Sequence, residues 1–310
     1  MTYSTHSYLT DARNDNILID INGDLTPRDE ARVSVFDSGF VLGDGVWEGL
    51  RVHPGPDGRG VTPYLKQHLN RLYAGAKTLD FDIGVTQNAL AERLYRCIDA
   101  NEAHRGVHIR LMVTRGVKAT PYQDPRVTIG KATIVIIPEF KTPSPEVSKV
   151  GSRLFTVHIR RGYPDVQDPK LNSHSKLNCI LACIQATKAG YDEALMLDPH
   201  GFVATCNSTH FFIVRDGEIW TSTGDFCLGG ITRGTILRLA RNHDITVHEK
   251  RFSLHDVYSA DEAFITGTFA GVTPVASVDD RTICVEKGPI VKLLQQFYKE
   301  DIESEVSNGR

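Results

Sequence analysis

The sequence has no Cys-x-x-Cys pair; its six cysteines are scattered at Cys97, Cys179, Cys183, Cys206, Cys227 and Cys284. That spacing argues against a zinc site and against a disulfide framework, and fits a reduced, cytoplasmic setting. No apolar run approaches the roughly 18 residues of a membrane span, and the polar segment Met1 to Asp15 lacks the apolar core of a signal peptide. A dominant charge is missing too. Lys and Arg number 35 against 38 Asp and Glu, a net charge of -3, which leaves no basic footprint for nucleic acid. Internal repeats are absent. What remains is an ordinary soluble composition, 41% hydrophobic and 24% charged, in 310 residues. That length gives ample core for one large domain or two of moderate size.

The periodicities predict an α+β first half. Ile17 to Ile21 reads as a strand entering an Asn22-Gly23 turn, and Val33 to Phe36 as a second short strand. Leu65, Leu69, Leu72, Ala76 and Leu79 mark a helix. A second helix starts at the N-cap candidate Thr86, and strands follow at His108 to Thr114 and Ala132 to Ile137. Lys141 to Pro145 is the best linker, so the expected division is 1–140, a linker over 141–149, and 150–310. The second half alternates strands (Leu154 to Ile159, Glu193 to Leu197, Phe211 to Val214, Ala263 to Ile265) with helices after Asn178 and after Gly230. The charged tail from Glu300 is expected to fray.

Chemistry concentrates in Asp168-Pro169-Lys170-Leu171-Asn172-Ser173-His174-Ser175-Lys176-Leu177-Asn178, which runs from a strand end to a helix start. A lysine there could form a Schiff base with a carbonyl cofactor; its ordinary alternative is a solvated surface lysine. Gly229-Gly230-Ile231-Thr232 before a helix is a candidate phosphate cradle, with simple helix capping as the plainer reading. Thr266-Gly267-Thr268 at a strand end is a further candidate. His68 and Arg71 share a helix face, where Arg71 could equally be a salt-bridged surface residue.

Glu48-Gly49-Leu50-Arg51, His68-Leu69-Asn70-Arg71-Leu72, Thr114-Arg115-Gly116, Asp192-Glu193-Ala194-Leu195, Gly230-Ile231-Thr232-Arg233 and Thr273-Pro274-Val275 occur in one order. In that order and spacing the chain resembles the class IV (fold type IV) pyridoxal-phosphate enzymes, over roughly residues 17 to 295. These include branched-chain and D-amino acid aminotransferases, R-selective amine transaminases and aminodeoxychorismate lyase. The resemblance implies a two-domain α/β (α+β) fold, with a small N-terminal α+β domain, a larger C-terminal mixed β/α domain and pyridoxal 5'-phosphate between them. It also implies a homodimer. By position, Arg71, the amides of Ile231 and Thr232, Gly267 and the Thr268 hydroxyl would bind the cofactor phosphate side, while Trp47, His108 and Arg110 would line the substrate pocket.

Two positions depart from the family pattern. Asn172 takes the place of the Schiff-base lysine, and Lys176 that of a tyrosine beside the reacting carbon. The resemblance therefore makes Lys176, at a helix start, the catalytic candidate. Lys170, two residues before Asn172 and assumed to lie on the same strand, is the rival. Thr205 stands where the family places a glutamate on the pyridine nitrogen, and a hydroxyl cannot hold a charge there. The implied activity is an aminotransferase moving an amino group between an amino acid or amine and a keto acid through a lysine Schiff base. The alternatives are a lyase or racemase of the same fold, or a non-catalytic binding protein.

Overall fold

The computed structural model describes every residue except 1–10, 145, 146, 148, 149 and 284–287. Most of the expected N-terminal polar segment, four linker positions and Cys284 thus lie outside the described residues. The chain forms two compact units. One runs to Thr142 and takes back Leu171–Ser175 and Glu303–Arg310; the other holds Pro143–Lys170 and Lys176–Ile302.

The N-terminal unit is a six-stranded antiparallel sheet in the order Asp24–Pro27, Leu18–Ile21, Thr133–Phe140, Val107–Thr114, Gly45–Pro54, Gly60–Val61. Its first hairpin turns at Asn22 and Gly23, both at positive φ, which is why an Asn-Gly pair sits there. Strict alternation decides which face is buried. Val46, Glu48, Leu50 and Val52 point inward with Ile109, Leu111, Val113, Ile134 and Ile136. Onto that face pack Leu69, Leu72 and Ala76 of helix Leu65–Thr78 and Leu90, Leu94, Cys97 and Ile98 of helix Gln87–Ala100. Thr86 caps the second helix, accepting from Ala89 N. The odd-numbered residues Trp47, Gly49, Arg51 and His53 lie on the opposite, half-buried face.

No strand forms at Val33 to Phe36. Val33, Val35 and Phe36 are exposed, so the apolar run there buries no face that could fix a register.

The C-terminal unit is a nine-stranded mixed sheet. Its order is Val247–Glu249, Glu218–Thr221, His210–Arg215, Glu262–Gly267, Gly271–Val278, Ser152–Thr156, Glu193–Leu197, Val203–Cys206, with Arg281–Thr282 beside Gly271–Val278. Ser152–Thr156 and Glu193–Leu197 are parallel, and helix Leu177–Lys188 is the crossover between them. That helix buries Ala182 and Ala186 against Val157, Ala194 and Met196. Helices Ile231–Asn242 and Pro289–Ser307 cover a second cluster around Phe212 and Phe264. The tail from Glu300, expected to fray, is helical to Ser307, and Arg310 pairs with Asp99.

Candidate active site

In the N-terminal unit, strand Gly45–Pro54 presents different chemistry on its two faces. Inward, Glu48 is fully buried on an otherwise apolar side and must be paired. Arg71 Nε donates to its Oε1 at 2.8 Å and Arg71 Nη2 to its Oε2 at 2.6 Å. His68 Nδ1, one helical turn before Arg71, lies 2.7 Å from the same Oε2. Burial raises the Glu48 pKa, but the hydrogen bonds from His68 and Arg71 outweigh it and hold the carboxyl below its ordinary value. Burial also pushes the His68 pKa down, more than Glu48 restores it, so the neutral ring donates Nδ1–H to the carboxylate.

On the opposite face the register sets Gly49 across from Arg110 and Arg51 across from His108. The Arg110 guanidinium carbon lies 3.9 Å from the Trp47 ring centroid. Burial lowers the Arg110 pKa, partly offset by Glu139. A Cβ at Gly49 would come within 3.1 Å of His108 Cε1 and 3.6 Å of Trp47 Cζ3. Glycine therefore lets these two rings approach over the strand. The structure thus gathers Trp47, His108 and Arg110 on one face and places Arg71 behind the other.

Asn172 and Ser173 belong to this unit and are buried. Ser173 forms an antiparallel bridge with Val46, and the Asn172 amide nitrogen donates to the Trp47 carbonyl at 2.6 Å.

In the C-terminal unit, helix Ile231–Asn242 begins at Gly230 with no side-chain cap, so its first N–H groups point toward the helix entrance. A Cβ at Gly229 would meet nothing within 4 Å, whereas one at Gly230 would run into the His210 ring. His210 is fixed there by donating Nε2–H to Leu228 O at 2.7 Å. Thr232 is buried in the first turn, and Thr268 opens the hairpin after strand Glu262–Gly267. The first amides, the helix dipole and the Thr232 hydroxyl at the helix start are donors suited to a phosphate dianion. Thr205 is buried, and its hydroxyl gives its one proton to Thr209 O at 2.8 Å, leaving only lone pairs for any other partner.

Lys176 occupies the N-cap position of helix Leu177–Lys188 and is half-buried. Lys170 is exposed on a turn closed by its own N–H to Asp168 Oδ1, and no strand runs through it. The short helix Pro164–Gln167 intervenes after strand Ser152–Thr156, which ends earlier than the apolar run to Ile159 suggests.

Two residues stand out that sequence reasoning missed. Glu48 could have been found as the one charge on the inward register of an apolar strand. Arg161 gave no such signal. Its guanidinium reaches Asn178 Oδ1 and Cys179 Sγ, both at 3.2 Å, and Phe226 O at 3.2 Å. It thereby ties the start of the Lys176 helix to the loop leading into Gly229-Gly230.

Comparisons with known proteins agree on one family. Residues 45–278 match the amino-transferase class IV family. A putative branched-chain-amino-acid aminotransferase of Methanocaldococcus jannaschii is 41% identical over 90% of this chain and 94% of its own length. The branched-chain-amino-acid aminotransferase-like protein 2 of Arabidopsis thaliana is 37% identical over 92% of this chain but only 50% of its own length. The chain thus spans about half the length of these plant relatives. Among solved structures, a T.th. branched-chain amino acid aminotransferase complexed with N-(5'-phosphopyridoxyl)-L-glutamate has a TM-score of 0.86 and 32% identity, covering 94% of this chain and 95% of that one. The same enzyme has also been solved with pyridoxamine 5'-phosphate and with 4-methylvaleric acid.

Proposed function

This chain belongs to the class IV aminotransferases, fold type IV, and from that premise we propose that it is a pyridoxal-phosphate-dependent aminotransferase acting on branched-chain amino acids and their keto acids. The observation that carries the reading is the anion cradle at the uncapped start of helix Ile231–Asn242, lying within the matched stretch 45–278. The donor chemistry there fits the cofactor's phosphate. When bound, the cofactor supplies a carbonyl carbon for an amine and a ring that takes up the electron pair released at the substrate carbon.

The residues divide the work. Ile231 and Thr232 amides, with Thr232 and Thr268 hydroxyls, would hold the phosphate; in the N-terminal unit Arg71, whose guanidinium Glu48 keeps in a fixed plane, is suited to an anion. Gly267 precedes Thr268 without a side chain to crowd it. Thr205, whose hydroxyl proton goes to Thr209 O, would offer the ring nitrogen only an acceptor. Trp47, His108 and Arg110 face the substrate, with the Arg110 fork suited to its carboxylate. Lys176 is the residue that would hold the cofactor and move the proton at the substrate carbon. Its half-buried helix-start position supports it over the exposed Lys170, because proton transfer is better served away from bulk water.

A second copy completes the reading. Helix Leu177–Lys188 leaves Leu177, Ile180, Leu181 and Ile184 exposed at 65, 50, 44 and 45% on one stripe, an apolar face suited to a homodimer. The described cysteines are all unbonded, in keeping with a reducing, cytoplasmic setting; among the described residues no helix is long and apolar enough to cross a membrane.

The test is borohydride reduction of the cofactor-loaded protein with peptide mapping, beside transfer assays from leucine, isoleucine and valine to 2-oxoglutarate. Label on Lys176 and amino transfer are expected. Label on Lys170 reassigns the lysine. Absence of both label and transfer removes the aminotransferase reading.

A further inference from the structure

We propose that Asn172 is a positioning residue that anchors Trp47, and through its indole the Arg110 guanidinium, in the substrate-facing wall. The proposal rests on the reading above that Trp47 and Arg110 meet the substrate.

The Trp47 backbone is gripped at both of its polar groups. Its N–H donates to Asn172 O at 3.1 Å, and its carbonyl accepts from the Asn172 side-chain amide at 2.6 Å. The indole Nε1–H donates to Ser173 O at 3.0 Å. His174 extends the seam, giving its N–H to Gly45 O at 2.9 Å and its Nε2–H to Val46 O at 3.0 Å. Three consecutive residues therefore zip onto Gly45–Trp47. The position in the sheet explains the need. Strand Gly60–Val61 pairs only with His53 and Pro54, at the far end of Gly45–Pro54. The Gly45–Trp47 end would otherwise present unpaired backbone, and 172–174 supplies the missing partners.

Asparagine suits this place for a chemical reason. It is 6% exposed, and its short side chain ends in a neutral donor that meets a carbonyl one strand spacing away. The longer lysine that the resemblance leads one to expect would carry an ammonium past that carbonyl, which would then lose its partner. The residue at 172 thus serves the substrate wall, leaving the bond to the cofactor to a different residue. Because Arg110 lies over the indole at 3.9 Å and the indole is tied to Ser173, a shift of 172–173 moves the cation that faces the substrate carboxylate.

The test uses Asn172→Ala and Asn172→Asp in a Trp220→Phe background, which leaves Trp47 as the sole tryptophan of the two in the chain. Both remove the donor to the Trp47 carbonyl. The expected result is a red-shifted, more readily quenched Trp47 emission and a Kd for 4-methylvalerate weakened about tenfold in the cofactor-loaded protein. KM for amino acid should rise more than kcat falls, with the borohydride-trapped lysine unchanged. Asn172→Ser, which keeps a short donor, should recover part of both signals. Unchanged emission and carboxylate affinity in both variants overturn the proposal. So does an equal loss of kcat and of thermal stability with the emission unmoved, the mark of a merely structural role. The emission needs no turnover. A protein that transfers no amino group yet shows the shift defeats the functional reading and leaves the anchor standing, whereas an active protein with Trp47 undisturbed defeats the anchor alone.

Discussion

Arg71 and Glu48 form a two-point ion pair, Nε to Oε1 at 2.8 Å and Nη2 to Oε2 at 2.6 Å, with the carboxylate fully buried and the arginine side chain 18% exposed. A guanidinium held along one edge keeps its plane, and the cost of fixing it is met in folding and not in anion binding. Glu48→Ala leaves Arg71 and His68 without their shared acceptor and should destabilise the protein by about 3–5 kcal/mol, as expected for one half of a buried pair. Urea denaturation measures this. The isosteric Glu48→Gln, if it folds, should weaken pyridoxal-phosphate binding about tenfold, read by absorbance titration; unchanged affinity would detach Glu48 from the anion site.

Gly230 supports a second prediction. A methyl group there enters the space of the His210 ring, which is held by its bond to Leu228 O. Gly230→Ala should cost about 1–3 kcal/mol by overpacking and displace the first amides of the helix. Thermal-shift titration with pyridoxal phosphate should then show a smaller rise in midpoint than for the parent protein. Gly229→Ala, whose added methyl would meet nothing within 4 Å, is the control for chain stiffening alone.

The apolar stripe on helix Leu177–Lys188 predicts association. Ile180→Asp combined with Ile184→Asp places two charges on the exposed face while leaving the buried Ala182 and Ala186 in place. Light scattering should show a dimer for the parent and a monomer for the double variant. Retention of the dimer would move the interface elsewhere.

His53 sets a pH dependence. Burial, helped by Arg51, pushes its pKa down to about 4 from 6.5. The unfolded chain takes up a proton below pH 6.5 while the folded one resists until about 4. The associated stability is therefore whole above 6.5 and falls as pH drops through that window, by up to about 1.4 kcal/mol per pH unit. His53→Gln should flatten the slope of unfolding free energy between these limits, measured by denaturant midpoints at each pH. Parallel slopes for both proteins would show that His53 is not the titrating group.

Much of this was legible in the chain itself. Period-two alternation in Gly45–Pro54 and Val107–Thr114, the Thr86 cap, the Asn22-Gly23 turn and the glycines before Ile231 each express a local rule: side-chain direction, an orphan amide, a positive φ. Family membership followed from short motifs whose order survives without any contact being known. Other features depended on which segments fold back on each other. Val33 to Phe36 has the composition of a strand but no face to bury. The segment 171–175 leaves its sequence neighbours to pair with strand Gly45–Pro54 inside the N-terminal unit, which turns Asn172 from an apparent loss into a backbone partner for Trp47. Glu48 and Arg71 lie 23 positions apart, and Arg161 and Phe226 lie 65 apart. Periodicity reports which way a side chain points; only the folded chain decides what it meets there, because pairing depends on the closure of long loops that no local pattern encodes.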